Sequence, residues 1–439
     1  MNAKENSGLK EKYRSPKGFQ DIIPPASHLW DCIEASAKKV FESYGYVAIR
    51  VPVVEHTEVF TRSIGETTDI VEKEMYTFND RAGRSLTLRP EGTAPVVRCY
   101  VQNGLHTRPS PQKYFYQGPM FRYERPQKGR FRQFYQIGAE AFGIEDPSID
   151  AEMIAMLKDF FSAVGIEDLS FEINSIGCTE CRPAFKEALR NFLSSRLSVF
   201  CSDCQRRYAT NPLRILDCKV PGCIEASSGA PEIVQYLCEA CSRHFSEFRG
   251  YLDALGIPAK LNPRLVRGLD YYTSTTFEIT TTHLGAQKAV AAGGRYNSLV
   301  EEFGGPPTPA IGFAIGMERL GELLSRVKTT DEHRPLLFIA SMDAESLKRA
   351  MIIAHGIRKH GVWCEMNYGA GSLRNLMKKA DRVGARFVFI IGAHEIASGR
   401  ITYRRLDDGR EGSLPIGDFD GMAGLLTGKT LEPEAGGPS

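Results

Sequence analysis

The chain has 439 residues, enough for two or three domains, and 42% of them are hydrophobic, as in a globular protein. Lys plus Arg number 55 against 53 Asp plus Glu, a formal net charge of +2, so no global field marks a nucleic-acid binder and any polyanion must be met by local patches. The opening MNAKENSGLKEKYRSPKG is polar, and no apolar run nears the roughly 20 residues that span a bilayer, so a cytoplasmic location without membrane contact is expected.

Residues 26–44, ASHLWDCIEASAKKVFESY, space their apolar positions as one face of a helix, and the pattern stops before Gly45. YVAIRVPVVE (46–55) then alternates like a strand. Pro52 within it cannot donate to a ladder, which suits a sheet edge or an interface. SLTLRP (85–90) and QKYFYQGPMFRYE (112–124) read as strands, and RFRQFYQIGAEAFG (130–143) as the second arm of a hairpin turning at PQKG (126–129). An amphipathic helix, SIDAEMIAMLKDFFSAVG (148–165), runs into the strand LSFEINSIG (169–177).

A cysteine-rich, largely helical insertion follows over about 178–255. Strand signals resume in LVRGLDYYTSTTFEITTT (265–282) and the glycine-dense AAGGRYNSLV (291–300). PAIGFAIGMERLGELL (309–324) looks like a strand feeding a helix through two glycines. Residues 1–325 thus read as an α+β core, an antiparallel sheet flanked by helices. Residues 326–334 are polar, a linker. Strand and helix patterns then alternate in PLLFIAS, ESLKRAMIIAHGIRKHG, VWCEMNY, SLRNLMKKADRVG and ARFVFIIG, so that 335–427 reads as a small α/β domain. The tail, 428–439, is expected to be disordered.

Eight of the 11 cysteines lie between Cys178 and Cys241, with three pairs spaced CxxC. Such clustering in a large chain without a secretory signal favours a metal or reduced thiols over a disulfide framework. Cys201, Cys204, Cys238 and Cys241 make a four-thiolate zinc candidate. Reduced thiols packing a small insertion weigh equally. Cys178 and Cys181, at a helix start, rank below them as ligands.

Arg122, Arg267 and Arg319 are far apart in sequence, each beside glycines or strand aromatics, and each alone reads first as a surface cation. A guanidinium is nevertheless the planar, permanently charged partner that phosphate prefers, and adenylyl transfer depends on such clamping. Glu91, Thr93, Gln136 and Glu140 carry acceptor oxygens of the kind an ammonium group needs, although each alone is an ordinary sheet polar group. There is no GxxxxGK[ST] loop, so a nucleotide would be held by another architecture.

In combination these segments are specific. FRYE, GRFRQFYQIGAEAFG and GFAIGMER resemble motifs 2 and 3 of class II aminoacyl-tRNA synthetases, and the stretch around Pro52 resembles their motif 1 strand. RGLDYYTSTTFE and AAGGRYN are similar to the signature regions of the histidyl-tRNA synthetase family. SPKGFQDIIPP, LTLRPEGTAPVVR and the final α/β domain match that family in order, so the resemblance spans roughly residues 13–425.

The resemblance implies an enzyme that joins L-histidine to histidine tRNA with ATP and Mg2+, works as a homodimer, and holds tRNA through a C-terminal anticodon-binding domain. By the same resemblance Arg122 contacts the α-phosphate, Glu124 seats adenine, Arg130 meets the γ-phosphate, and Arg319 brackets ATP from the other side. Arg267 assists attack on the α-phosphate. Glu91, Thr93 and Gln136 surround the histidine α-amino group, Gly92, Arg122 and Arg267 also belong to the histidine site, Glu140 and Tyr272 bond the imidazole nitrogens, and Tyr271 closes the pocket. NPLRILDCK resembles the family's insertion domain, with Arg206, Arg207 and Arg214 suited either to a tRNA acceptor arm or to solvent. A non-catalytic relative, the regulatory subunit of an ATP phosphoribosyltransferase, lacks the C-terminal domain and departs from the motif arginines. This chain has both. Threonyl- and prolyl-type synthetases share the C-terminal domain type, but RGLDYY points away from them.

Overall fold

The computed structural model describes residues 13–65, 68, 70–126, 129–284, 288–327 and 334–428. Gln127 and Lys128 of the expected turn, residues 328–333 of the expected linker and the tail from 429 lie outside the described residues. The chain divides into two units, 1–330 and 331–439.

The first unit opens with helix α1 (Ala26–Ser43), which buries Ile33, Ala37 and Phe41, a stripe repeating every four residues. The strand expected over 46–55 is two short pieces instead, β1 (Val47–Ala48) and β2 (Val54–His56). Pro52 falls in the break between them, where its missing N–H interrupts no ladder. Next come α2 (Glu58–Ile64), β3 (Tyr76–Asn79), β4 (Ser85–Leu88) and α3 (Thr93–Gln102), with β2, β4 and β3 forming a small antiparallel sheet.

The expected hairpin is present. Its arms β5 (Gln112–Phe121) and β6 (Gln133–Phe142) pair antiparallel from Gln112 opposite Phe142 to Phe121 opposite Gln133. Helix α4 (Ser148–Val164) and strand β7 (Ser170–Ser175) follow, then the insertion with α5 (Arg182–Ser194), α6 (Ser202–Thr210), α7 (Pro221–Ala226) and α8 (Glu239–Ala254). The chain returns through β8 (Ala259–Leu261), β9 (Thr273–Thr280), β10 (Ala289–Arg295), α9 (Leu299–Glu302), β11 (Ala310–Gly316) and α10 (Met317–Val327).

Eight strands make one sheet in the order β1-β5-β6-β11-β10-β9-β7-β8. It is antiparallel as expected, except where β1 joins β5 and β8 joins β7 in parallel. The strand expected from Leu265 begins only at Thr273. Upstream the backbone bonds off the ladder: Asp270 N–H donates to Ile64 O, and Arg214 donates to Gly268 O at 2.9 Å.

The two-residue period of the strands sorts their side chains between the faces. Phe115, Ile137 and Ala139 pack with Phe41, Phe160, Phe248 and Leu320 in one core cluster on the side of α1, α4, α8 and α10. Tyr114 and Tyr116, on either side of Phe115, belong instead to a second cluster with Tyr271, Tyr272 and Tyr296. A charged pair ties the layers together. Arg295 at the end of β10 is 1% exposed and donates through Nε to Asp150 Oδ1 at 2.7 Å. Its other nitrogens reach Ile144 O and Asp146 O, both at 3.0 Å, and Asp150 Oδ2 lies 2.8 Å from His244 Nε2 on α8.

The second unit contains β12 (Leu337–Ser341), α11 (Ala344–Lys359), β13 (Cys364–Met366), α12 (Leu373–Arg382), β14 (Phe387–Ile391), α13 (Ala393–Ser398), β15 (Arg400–Arg405), β16 (Glu411–Pro415) and α14 (Phe419–Thr427). Strands β13, β12 and β14 are parallel, the α/β pattern expected, and the antiparallel hairpin β15–β16 extends the sheet beyond it. Among the described residues no helix is long and apolar enough to cross a membrane.

Arg295→Met leaves the Asp150 carboxylate buried without its guanidinium, a loss of about 3–5 kcal/mol. Urea denaturation of variant and parent checks this through the shift in midpoint.

Candidate active site

The hairpin, the 265–272 segment and the start of α10 converge on a cavity of about 310 Å³. Ten residues singled out from sequence line it: Glu91, Thr93, Arg122, Glu124, Arg130, Gln136, Arg267, Tyr271, Tyr272 and Arg319. They come from α3, β6, α10 and three connecting segments, so the fold assembles what the sequence scatters.

The cavity has a cationic side. Arg122 Nε donates to Pro90 O at 2.8 Å, and its guanidinium faces the Phe134 ring at 5.3 Å. Glu124 lies between two arginines, 3.9 Å from Arg122 and 3.1 Å from Arg130. Arg319 NH1 donates to Ala289 O at 2.8 Å. Burial pushes the Arg319 guanidinium down, and the neighbouring charges of Arg130 and Arg122 push it the same way. Arg267 is tied to Glu278 at 2.7 Å. Burial alone would lower it, but Tyr272, Glu278 and Tyr271 outweigh that and raise it.

The other side is polar and acidic. Glu91 accepts from the backbone N–H of Thr93 at 2.7 Å and of Ala94 at 2.8 Å, so its carboxylate holds the first turn of α3. Burial still raises it above the usual carboxylate range, because those two bonds and Arg122 offset desolvation only in part. The Tyr271 hydroxyl is 3.4 Å from Glu91 Oε2. Gln136 Oε1 is buried and has no hydrogen-bond partner among the described residues, and the same is true of Arg267 Nε. Buried polar atoms are normally paired, so two orphans facing one cavity mark where a ligand's polar groups belong.

Two expected pocket residues lie behind the wall. Glu140 is fully buried; Thr93 Oγ1 donates to it at 2.7 Å, Tyr296 OH at 2.6 Å and Tyr116 OH at 3.4 Å. Burial pushes its carboxyl up to about 8 against the pull of those hydrogen bonds. Gly92 is the space into which Tyr116 fits, since a Cβ there would collide with the Tyr116 ring. Tyr116, Glu278, Tyr296 and Glu318 are not singled out by the sequence. Tyr296 sits inside AAGGRYN and Glu278 inside RGLDYYTSTTFE, so the segments are conspicuous but these positions are not. Glu318, whose carboxylate accepts from Tyr135 N–H at 2.9 Å, is pushed up to about 7 by burial.

The model of the histidyl-tRNA synthetase family matches residues 18–191 and 224–320, and that of the anticodon-binding domain matches 336–422. The chain belongs to the histidyl-tRNA synthetase family. Histidine–tRNA ligase of Syntrophotalea carbinolica is 50% identical over 414 residues, 94% of this chain and 98% of that protein. The corresponding ligase of Trichlorobacter lovleyi is 52% identical over 412 residues, again 94% and 98%. Apo histidyl-tRNA synthetase of S. aureus superposes with a TM-score of 0.77 at 36% identity, covering 94% of this chain and 98% of that one.

The expected Cys201, Cys204, Cys238 and Cys241 quartet does not form. The structure gathers Cys201 and Cys204 with Cys218 and Cys223, and Cys238 and Cys241 with Cys178 and Cys181. Spacing favoured joining two CxxC pairs, whereas the fold brings the start of α8 back beside the start of α5, where the pair ranked lower sits. The basic residues of the insertion lie against the catalytic unit: Arg206 meets Glu72 at 2.5 Å, and Arg214 makes the Gly268 contact already described.

Glu140→Gln tests the buried acid in this synthetase. The folded chain keeps a proton that a free glutamate sheds near 4.5, so this group's contribution to stability is whole below 4.5 and is lost as pH rises through about 8. The neutral isostere should flatten that decline in a pH series of denaturation midpoints. It should also raise KM for histidine about tenfold or more while KM for ATP stays near the parental value.

Proposed function

We infer that this chain is a histidine–tRNA ligase whose cavity activates histidine with ATP and passes it to tRNA. One observation carries the reading: four guanidinium groups and two orphaned polar atoms share a cavity with a tyrosine- and glutamate-lined wall. The cations suit a triphosphate. The orphaned Gln136 carbonyl and Glu91 suit an ammonium group. The polar wall of Thr93, Tyr271 and Tyr272 suits an imidazole, which offers one donor and one acceptor.

In the first step a histidine carboxylate oxygen bonds to the α-phosphorus and the bond to the bridging oxygen breaks, releasing pyrophosphate and leaving histidyl-adenylate. Arg122 and Arg267 hold the α-phosphate and the incoming carboxylate, where negative charge builds up. Arg130 and Arg319 hold the outer phosphates, and Glu124 then turns from its arginines toward adenine. Bound Mg2+ would neutralise phosphate charge, and Glu278 and Glu318 bring to the cavity the carboxylate oxygens that this hard cation takes. In the second step a terminal ribose hydroxyl of tRNA attacks the activated carbonyl and AMP leaves. Glu140 acts from behind the wall by fixing Thr93 and Tyr116. A regulatory role without catalysis is disfavoured by the retained Arg122, Arg267 and Arg319 and by the C-terminal unit.

The homodimer belongs to the same reading. Val47, Val54 and Phe78 around Pro52 are apolar and exposed in the single chain, 56%, 38% and 45% respectively, as a motif 1 interface requires. Light scattering at micromolar concentration should give twice the mass of the chain, and a fully active monomer would refute the pairing.

Histidine-dependent ATP–pyrophosphate exchange tests the activation step, with threonine and proline as competitors that should support none. Arg267→Ala should slow exchange by about 10²–10³-fold with unchanged circular dichroism. Near-parental exchange would remove Arg267 from the chemistry. A chain ending at Thr330, the boundary between the two units, should keep measurable exchange but charge tRNA poorly, because the anticodon-binding unit is gone. Unchanged charging by that chain would dissociate the C-terminal unit from tRNA.

A further inference from the structure

The insertion contains two groups of four cysteines, and within each group the sulfurs all lie within 4.8 Å of one another. None of the eight is joined in a disulfide. Cys178 and Cys181 are 3.6 Å apart, Cys178 and Cys238 4.0 Å, and Cys201 and Cys218 4.0 Å. Four sulfurs set tetrahedrally at a Zn–S distance of about 2.3 Å are about 3.8 Å from one another. A disulfide would draw two sulfurs to about 2 Å and leave the other two aside. An iron–sulfur cluster would interpose several irons and spread the thiols wider than a single ion does.

The backbone is arranged for thiolates as well. Cys238 N–H donates to Cys181 Sγ at 3.1 Å, and Cys201 N–H donates to Cys223 Sγ at 3.2 Å. In each group, therefore, the first cysteine of one pair bonds a sulfur of the opposite pair, the kind of outer bond that orients metal ligands. Cys181, Cys201 and Cys238 each stand immediately before a helix, α5, α6 and α8 respectively, at its positive end.

We propose that the insertion holds two zinc ions, one on Cys178, Cys181, Cys238 and Cys241 at its neck and one on Cys201, Cys204, Cys218 and Cys223 within it. Binding is redox-neutral: each thiol gives its proton to solvent as its sulfur bonds the ion. The neck site closes the insertion where the chain leaves β7 and re-enters through α8. The second site ties the start of α6 to the turn before α7 in a small subdomain built of short helices, where a metal supplies stability that a small core lacks.

The neck site also reaches the active site. Arg182, next to Cys181, lies within electrostatic range of Cys178, Cys181 and Cys241. Its guanidinium donates to Ile176 O at 3.2 Å and to the backbone oxygen of Tyr272, a residue of the cavity wall. Four thiolates around a dication leave net negative charge, which Arg182 is placed to balance while it holds the 271–272 backbone. The neck zinc therefore positions the pocket without touching substrate.

The full chain, purified without chelator, should contain about two zinc ions by mass spectrometric metal analysis. Cobalt exchanged for zinc should show the ligand-field and charge-transfer bands of tetrahedral tetrathiolate cobalt, a readout that needs no variant. Cys204→Ser and Cys241→Ser should each lower the metal content by one ion. Cys241→Ser should in addition raise KM for histidine several-fold in pyrophosphate exchange. A metal-free chain whose eight cysteines titrate as free thiols or as disulfides overturns the proposal, as does iron in place of zinc. One ion per chain, unchanged in Cys241→Ser, overturns the neck site. Two ions in the parent, with parental histidine KM in a Cys241→Ser variant that has lost one, overturn the link to the pocket.

Discussion

A line of buried polar contacts runs from the helix layer to the substrate cavity, and the pocket's geometry depends on it. It begins with Asp150 at the start of α4 and passes to Arg295 at the end of β10. The next residue, Tyr296, turns to the other side of the strand and donates to Glu140. Glu140 takes the hydroxyl of Thr93, and Thr93 gives its N–H to Glu91 at the cavity. A charge in this interior survives only if paired, and a carboxyl only if bonded or protonated. Each member thus specifies where its neighbour must lie. A hydrophobic core of equal volume would hold the sheet together but would not fix Thr93 and Glu91 in orientation.

The cationic side obeys the opposite logic. Arg122, Arg130, Arg267 and Arg319 surround one cavity, and like charges there repel; Arg319 is depressed first by burial and then by the charge of Arg130. The fold offsets the repulsion with Glu124 and Glu278. A triphosphate can replace those carboxylates with a larger and better-matched anion, so nucleotide binding exchanges one set of ion pairs for another. The cost of gathering the arginines is met during folding, which leaves them preorganised around the cavity.

Much of this was legible in the sequence, for identifiable reasons. The hairpin β5–β6, helices α1 and α4 and the start of the C-terminal α/β unit show strong periodicity, and periodicity survives folding. The break at Pro52 was half legible: the proline marked an irregularity, but not that its two flanks enter different sheets. The segment from Leu265 to Tyr272 misled because Val266, Tyr271 and Tyr272 lead straight into the β-branched run from Thr273, whereas Arg214 and Ile64 hold its backbone off the ladder. The cysteine partition was not legible. Local spacing identifies pairs, but which pair meets which depends on the start of α8 returning beside the start of α5, a tertiary fact. Tyr116 and Tyr296 were missed for a related reason, since each bonds the carboxyl of Glu140, which lies behind the wall.

Glu140 belongs to the expected pocket yet does not face the cavity. It stands opposite Gly312 on the neighbouring strand, and a Cβ at that position would strike its carboxyl. The glycine thus lets an acid lie flat within the sheet layer, where burial keeps it protonated near neutral pH. A protonated carboxyl has one hydrogen to donate and can still accept, so one of Thr93 and Tyr116 can take that hydrogen while the other goes on donating. An imidazole needs such a partner network, since it presents a donor on one nitrogen and an acceptor on the other. An isosteric apolar side chain would leave the network unsatisfied in a dry interior, and discrimination then follows from unpaired groups rather than from pocket size. The charge that would make Glu140 a stronger acceptor would also bring repulsion from Glu91, which adds to the effect of burial in favouring the proton.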